Sequence, residues 1–126
     1  MSLLLIRKSK EELKNIIFLG EREGLLSSNN TLDYALVENN VILGMCSLLI
    51  KGKTGVFKTA YVLRSQRNKG YLDFMIKERI NILKSMSIKK AEANCRIGAL
   101  NAHLRNGAKV KKVYKNKITK VVYEIL

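Results

Sequence analysis

The sequence predicts a single-domain α/β (α+β) protein built on a mixed β-sheet of about six to seven strands. With 126 residues the chain is long enough for one domain with a real core and too short for two, so the domain spans 1–126. Apolar runs at 56–63 and 88–95 flank an amphipathic stretch of roughly 16 residues. That is the pattern of a βαβ unit, whose right-handed crossover makes its two strands parallel. Asn39-Asn40 and Lys115-Asn116-Lys117 each divide two β-rich runs, as hairpin turns do, and the second hairpin closes the chain.

The elements follow in order. Leu3–Ile6 is a short apolar strand. Ser9 and Glu12 have the spacing of a capping box, and Leu13, Ile16 and Ile17 then recur at helical spacing, with Gly20 as the expected stop. Residues 21–31 are polar and read as a loop. The hairpin covers 33–50, "KGKTG" turns the chain, and "VFKTAYVL" is apolar enough for a central strand. Leu72, Met75, Ile76, Ile80 and Leu83 fall on one helical face, with Lys77, Glu78 and Lys84 opposite. "IKKAEANC" is the next strand, and Ala99, Leu100, His103 and Leu104 mark a short helix capped at Gly107. "AKVKKVY" and "ITKVVYEIL" form the last hairpin, where Tyr114 and Tyr123 are expected to pack.

Composition narrows the function classes. No apolar run reaches transmembrane length, and "MSLLLIRK" is too short for a signal sequence, so no membrane partner is expected and the cytoplasm is the expected location. Cys46 and Cys95 do not make a disulfide framework, and with one histidine they leave no zinc ligand set, so no metal is expected. The net charge of +14 is uneven: residues 1–50 hold 5 Lys/Arg against 6 Asp/Glu, and residues 51–126 hold 19 against 4. Such a field attracts polyanions, whether nucleic acid or a phosphorylated ligand.

"RSQRNKGYLDF", from Arg64, interrupts the apolar pattern with a basic turn and then starts a helix. The first amides of a helix have no intrahelical partner, and the helix dipole adds partial positive charge. Glycine lets an anion approach the backbone. Arg67, Asn68, Lys69 and Gly70 supply these features together, with nothing nearby in sequence to neutralise the arginines. A bound anion explains the turn better than chain reversal does.

"VLRSQRNKGYL", 62–72, resembles the acyl-CoA pyrophosphate loop of the GCN5-related N-acetyltransferases, whose signature is Arg/Gln-x-x-Gly-x-Gly/Ala. Arg67-x-x-Gly70 matches it, and Leu72 stands where Gly or Ala is usual. The resemblance extends over about 30–126, with Gly44 at a customary glycine and Arg105-Asn106-Gly107-Ala108 similar to the family's late helix ending. Arg96 falls where that family has an asparagine. Among relatives, the short acetyltransferase-like proteins of tailed phages look most similar, some of them carried in the virion. The resemblance implies helices on both faces of the sheet and acetyl-CoA as co-substrate for transfer to an amine acceptor.

The same resemblance implies roles for particular residues. Backbone groups of Tyr61, Val62 and Leu63 would hold the pantetheine arm and polarise the thioester. The amides of Asn68, Lys69, Gly70, Tyr71 and Leu72 would take the pyrophosphate, supported by Arg67 and Lys69. His103 falls where a tyrosine usually protonates the leaving thiolate. The central strand has no carboxylate, which leaves Glu92 and Glu38 as candidate bases, and Cys95 near the expected cleft. Two other readings compete. One is an inactive binding or structural protein with this fold, virion-associated. The other is a nucleic-acid partner acting through 51–126. A homodimer through the terminal hairpin is also expected from relatives.

Overall fold

The computed structural model describes residues 2–125. Seven strands and three helices follow in the order β1 (Leu3–Arg7), α1 (Lys14–Glu21), β2 (Leu32–Glu38), β3 (Val41–Lys51), β4 (Thr54–Val62), α2 (Tyr71–Ser85), β5 (Lys90–Cys95), α3 (Ile97–Arg105), β6 (Lys109–Val113) and β7 (Thr119–Glu124). The expected strand through Leu126 reaches a residue outside those described. All strands lie in one sheet of order β1-β2-β3-β4-β5-β7-β6. Every neighbouring pair is antiparallel except β4 and β5, which are parallel, as the crossover through α2 requires.

Local chemistry sets most of these boundaries. Ser9 and Glu12 close the capping box: the Ser9 amide donates to Glu12 Oε1 at 2.9 Å and the Glu12 amide to Ser9 Oγ at 3.1 Å. The box caps a turn that leads into α1 at Lys14. Gly20 is not the stop. It lies buried inside α1, and Gly24 takes the left-handed conformation at φ +90°. Asn39 and Asn40, at φ +52° and +65°, make the tight turn between β2 and β3.

Alternation divides the sheet into two faces. One face packs against α2 and α3 through Leu36, Leu48, Phe57, Ala91, Ala93 and Val121, which meet Met75, Ile76, Leu83 and Ala102. The other packs against α1 through Ala35, Val37, Met45 and Tyr61, which meet Leu13 and Ile16. Helices therefore cover both faces. Among the described residues no helix is long and apolar enough to cross a membrane.

Candidate functional site

The site begins where β4 leaves β5. Their parallel pairing covers only Thr54–Phe57 against Lys90–Ala93. Just beyond Phe57, β4 carries a bulge: Leu48 of β3 faces Phe57, but Cys46, two residues back, faces Ala60. An extra residue bends and twists the strand that holds it. β5 continues straight, pairing Asn94 and Cys95 with Lys120 and Thr119 of β7. The two strands open into a wedge. On its β4 side the Leu63 amide donates to Leu43 of β3 at 2.9 Å, so strand alternation turns the Val62 amide away from β3 and into the gap.

Two cavities of about 460 Å³ meet there and share Ala60 and Leu72 as walls. The first lies over the mouth of α2. It is lined by Tyr61, Val62, Arg67, Asn68, Gly70, Tyr71 and Leu72, with Gly98, Ala102 and Arg105 of α3 across from them. Asn68 and Gly70 take left-handed φ values of +66° and +80°, which swings the chain so that α2 starts facing this cavity. The Phe74 amide is the first to find its helical acceptor, Gly70 O at 3.1 Å, so the amides before it form an open donor cluster. Leu72 lines both cavities. Leu63 and Lys69 do not line this cavity: the Leu63 amide is committed to β3, and Lys69 Nζ donates to Gln66 Oε1 at 2.9 Å.

The basic turn is not unneutralised. Glu23, in the loop after α1, accepts from Arg64 Nη2 at 3.0 Å, from Arg67 Nη2 at 2.9 Å and from the Tyr61 hydroxyl. The Tyr61 hydroxyl first, then the arginines, hold the Glu23 carboxyl below its usual range. Sequence separation hid this partner, which sits 44 residues from Arg67. Arg67 Nε also donates to Val62 O at 2.9 Å, tying the loop to the end of β4. Across the cavity mouth, Asp73 accepts from Arg105 at 2.8 and 3.2 Å and from Asn106 at 3.1 Å, which fixes α3 to the start of α2. The sequence reading missed this clamp.

The second cavity occupies the wedge. Its lining includes Leu25, Leu26, Phe57, Arg79, Cys95, Ala99 and His103. His103 is buried, and its Nδ1 shares a hydrogen bond with the Tyr123 hydroxyl. Burial, with the charge of Arg79 adding, lowers the imidazole to about 4, so it is neutral near pH 7. Burial likewise keeps the Tyr123 phenol protonated. Cys95 donates weakly to Thr119 O at 3.4 Å, and burial pushes its thiol up, away from the thiolate an acyl-cysteine would need.

Glu92 is not brought to the wedge. Alternation on β5 puts Ala91, Ala93 and Cys95 on the α3 face and Glu92 on the other, where it pairs with Lys120 at 3.3 Å. Glu38 accepts from the Tyr71 hydroxyl at 3.5 Å and lines neither cavity. Among the described residues no group of three or more His, Cys, Asp or Glu could hold a metal.

The seven-stranded sheet, in which β4 and β5 are the one parallel pair among the described residues, is a fold shared with solved acetyltransferases. The IAA acetyltransferase from Bacillus cereus superposes with a TM-score of 0.80 at 17% identity, covering 98% of this chain and 99% of that one. The PaiA N-acetyltransferase from Thermoplasma acidophilum, solved in complex with coenzyme A, gives 0.78 at 14% identity, covering 98% and 99%. An acetyltransferase of the GNAT family from Staphylococcus aureus gives 0.77 at 14% identity, covering 99% and 100%. The chain has the GCN5-related N-acetyltransferase fold. No family profile matches its sequence, and no curated protein does.

Proposed function

We propose that this protein is an acyl-CoA-dependent N-acyltransferase, with acetyl-CoA as the reference donor and an amine as acceptor. The observation that carries this reading is that the open amides at the mouth of α2 lie next to the wedge between β4 and β5, the two cavities having Ala60 and Leu72 as common walls. The residues present fit such a co-substrate: amides and Arg67 for a diphosphate, and the Val62 amide, turned away from β3, for the pantetheine arm. Bound acetyl-CoA supplies an activated thioester. The amides of Asn68, Gly70, Tyr71 and Leu72 bind and orient the phosphates, and the Val62 amide polarises the carbonyl drawn beside it. Neutral His103, hydrogen-bonded through Nδ1 to the Tyr123 hydroxyl, can give the departing sulfur a hydrogen bond but no full proton, so the thiolate takes its proton from water. No carboxylate lines the wedge among the described residues, so the amine's proton leaves to solvent water.

A thermal-shift titration tests the reading. Acetyl-CoA at millimolar concentration raises the melting temperature, and Arg67→Glu abolishes the rise. Absence of any shift for the wild-type protein counts decisively against an acyltransferase. It leaves the second reading, a binding or virion-associated structural protein on the same fold, which the Glu23 pairing of Arg64 and Arg67 favours.

Partners beyond acyl-CoA follow from charge and edges. Every residue of β6 is exposed, and Lys109, Lys111 and Lys112 make it a basic sheet edge, which supports a nucleic-acid contact through the 51–126 region. Retention on DNA that weakens steeply with salt tests it. A homodimer would use the β6–β7 hairpin, and lysines on an edge strand work against edge-to-edge pairing. A cytoplasmic, or phage-borne, setting suits reduced Cys46 and Cys95.

A further inference from the structure

Arg79 is a cation inside the core. It sits in the middle of α2 and is 1% exposed. A guanidinium does not lose its proton in a protein, so burial cannot neutralise it. No ion pair among the described residues includes it. Nε donates to Met75 O at 3.2 Å, Nη1 donates to Ser47 O at 3.2 Å, and the guanidinium lies 4.5 Å over the Phe57 ring. Nη2 takes no protein acceptor among the described residues. Among the described residues no side-chain nitrogen cut off from solvent lacks a partner, so Nη2 keeps a small solvent contact, and the wedge cavity is one that Arg79 lines. The other charged side chains on that cavity are Lys58 and Arg96, and no carboxylate lines it.

An acetyl group needs none of this. Its methyl is best met by an apolar wall, and a buried cation carries a desolvation penalty that a methyl does nothing to offset. A carboxylate on Nη2 would complete the donor set with a charge-assisted bond. The wedge is also roomier than two carbons require. We propose that the preferred donor carries an acyl group ending in a carboxylate, a dicarboxylic acid held as its CoA monothioester, with that carboxylate on Arg79. The proposal rests on the acyl-CoA reading above. The transfer itself is unchanged: the amine nitrogen forms a bond to the thioester carbon, the carbon–sulfur bond breaks, and the proton lost by the amine to water is balanced by the one the thiolate takes from water. The distal carboxylate is not altered.

Two unreactive thioethers of equal chain length isolate the carboxylate: S-butyl-CoA and S-carboxypropyl-CoA, compared by calorimetry. The carboxylated ligand is expected to bind at least about tenfold tighter. Arg79→Gln is expected to erase the difference while leaving S-butyl-CoA binding in place. A protein of net charge +14 attracts any extra anion, so a second measurement separates that field from a local contact without a variant. Surface attraction is screened at about 0.5 M NaCl, whereas a buried contact persists. Equal affinities, a preference lost in high salt, or a preference that survives Arg79→Gln each overturn the proposal. Equal affinities with an amino-acid acceptor's KM raised by Arg79→Gln overturn it too, and assign the guanidinium to the acceptor. If neither thioether nor free CoA binds, the acyl-CoA reading itself fails. If both bind alike, only this inference does.

Discussion

His103 makes acid a selective probe of the wedge. The imidazole is held at about 4 against an ordinary 6.5, by burial first and then by Arg79. The group facing it from β7 is Tyr123, and Phe57 of β4 lies 6.0 Å away, ring to ring. None of these supplies a negative charge to rescue a protonated ring. The folded-state value lies below the unfolded one, so the unfolded chain binds the proton first as pH falls. The contribution of neutral His103 is intact above about 6.5 and is lost progressively toward 4. At 1.36 kcal/mol per unit, the step from pH 7 to 4.5 removes about 2 kcal/mol. The carboxylates held low, Glu12, Glu23, Asp33 and Asp73, have ordinary values of 4.5 or 3.8, and their loss falls mainly below that window. Urea unfolding followed by far-ultraviolet circular dichroism reads the effect as a midpoint lower by about 1 M at pH 4.5. His103→Gln is expected to flatten the profile between pH 7 and 4.5. A wild-type midpoint that is constant across this window, or a slope that His103→Gln leaves in place, refutes the buried neutral imidazole.

Two further outcomes test the scaffold around the site. A Cβ at Gly44 would clash with Tyr61 O and meet Val62 Cα at 3.2 Å, both backbone, so Gly44→Ala must push β3 and β4 apart. Overpacking of this kind costs roughly 1–3 kcal/mol, and CoA affinity should fall with it because β4 walls the groove; an unchanged urea midpoint argues against this close approach. Asn40→Gly places glycine at φ +65° in the β2–β3 turn and is expected to raise stability by a few tenths of a kcal/mol, about the scale of turn optimisation. A lower midpoint for that variant would mean the Asn40 side chain contributes more than its backbone strain costs.

The architecture was legible because its determinants are local. Ser9 and Glu12 make a capping box from three residues of spacing. Asn39 and Asn40 tolerate left-handed dihedrals on their own. The spacing of Leu72, Met75, Ile76 and Leu83 specifies the buried stripe of α2 before any partner is known. Gly20 misled for a local reason as well: glycine is a common helix stop, but here small size served close packing against Leu25, and Gly24 took the turn. The basic turn before α2 was likewise readable, whereas the grouping of Val62, Arg67, Gly70 and Leu72 was implied only by the family resemblance; the structure sets all four on one cavity.

What sequence alone determined about this protein, then, is the order of its elements and the position of the basic, glycine-containing turn before α2, since both follow from periodicity and backbone preference within a few residues. Tertiary structure alone decided the charges. Glu23 reaches Arg64 and Arg67 across more than 40 residues, Asp73 finds Arg105 and Asn106, and Glu92 is turned by strand alternation onto the face away from His103. Arg79 looks in sequence like one more surface cation of a basic helix; only the packing of α2 on Ser47 and Phe57 makes it a buried one. Coulomb energies depend on distance through the fold and on the local dielectric, and neither quantity exists until the chain has closed on itself.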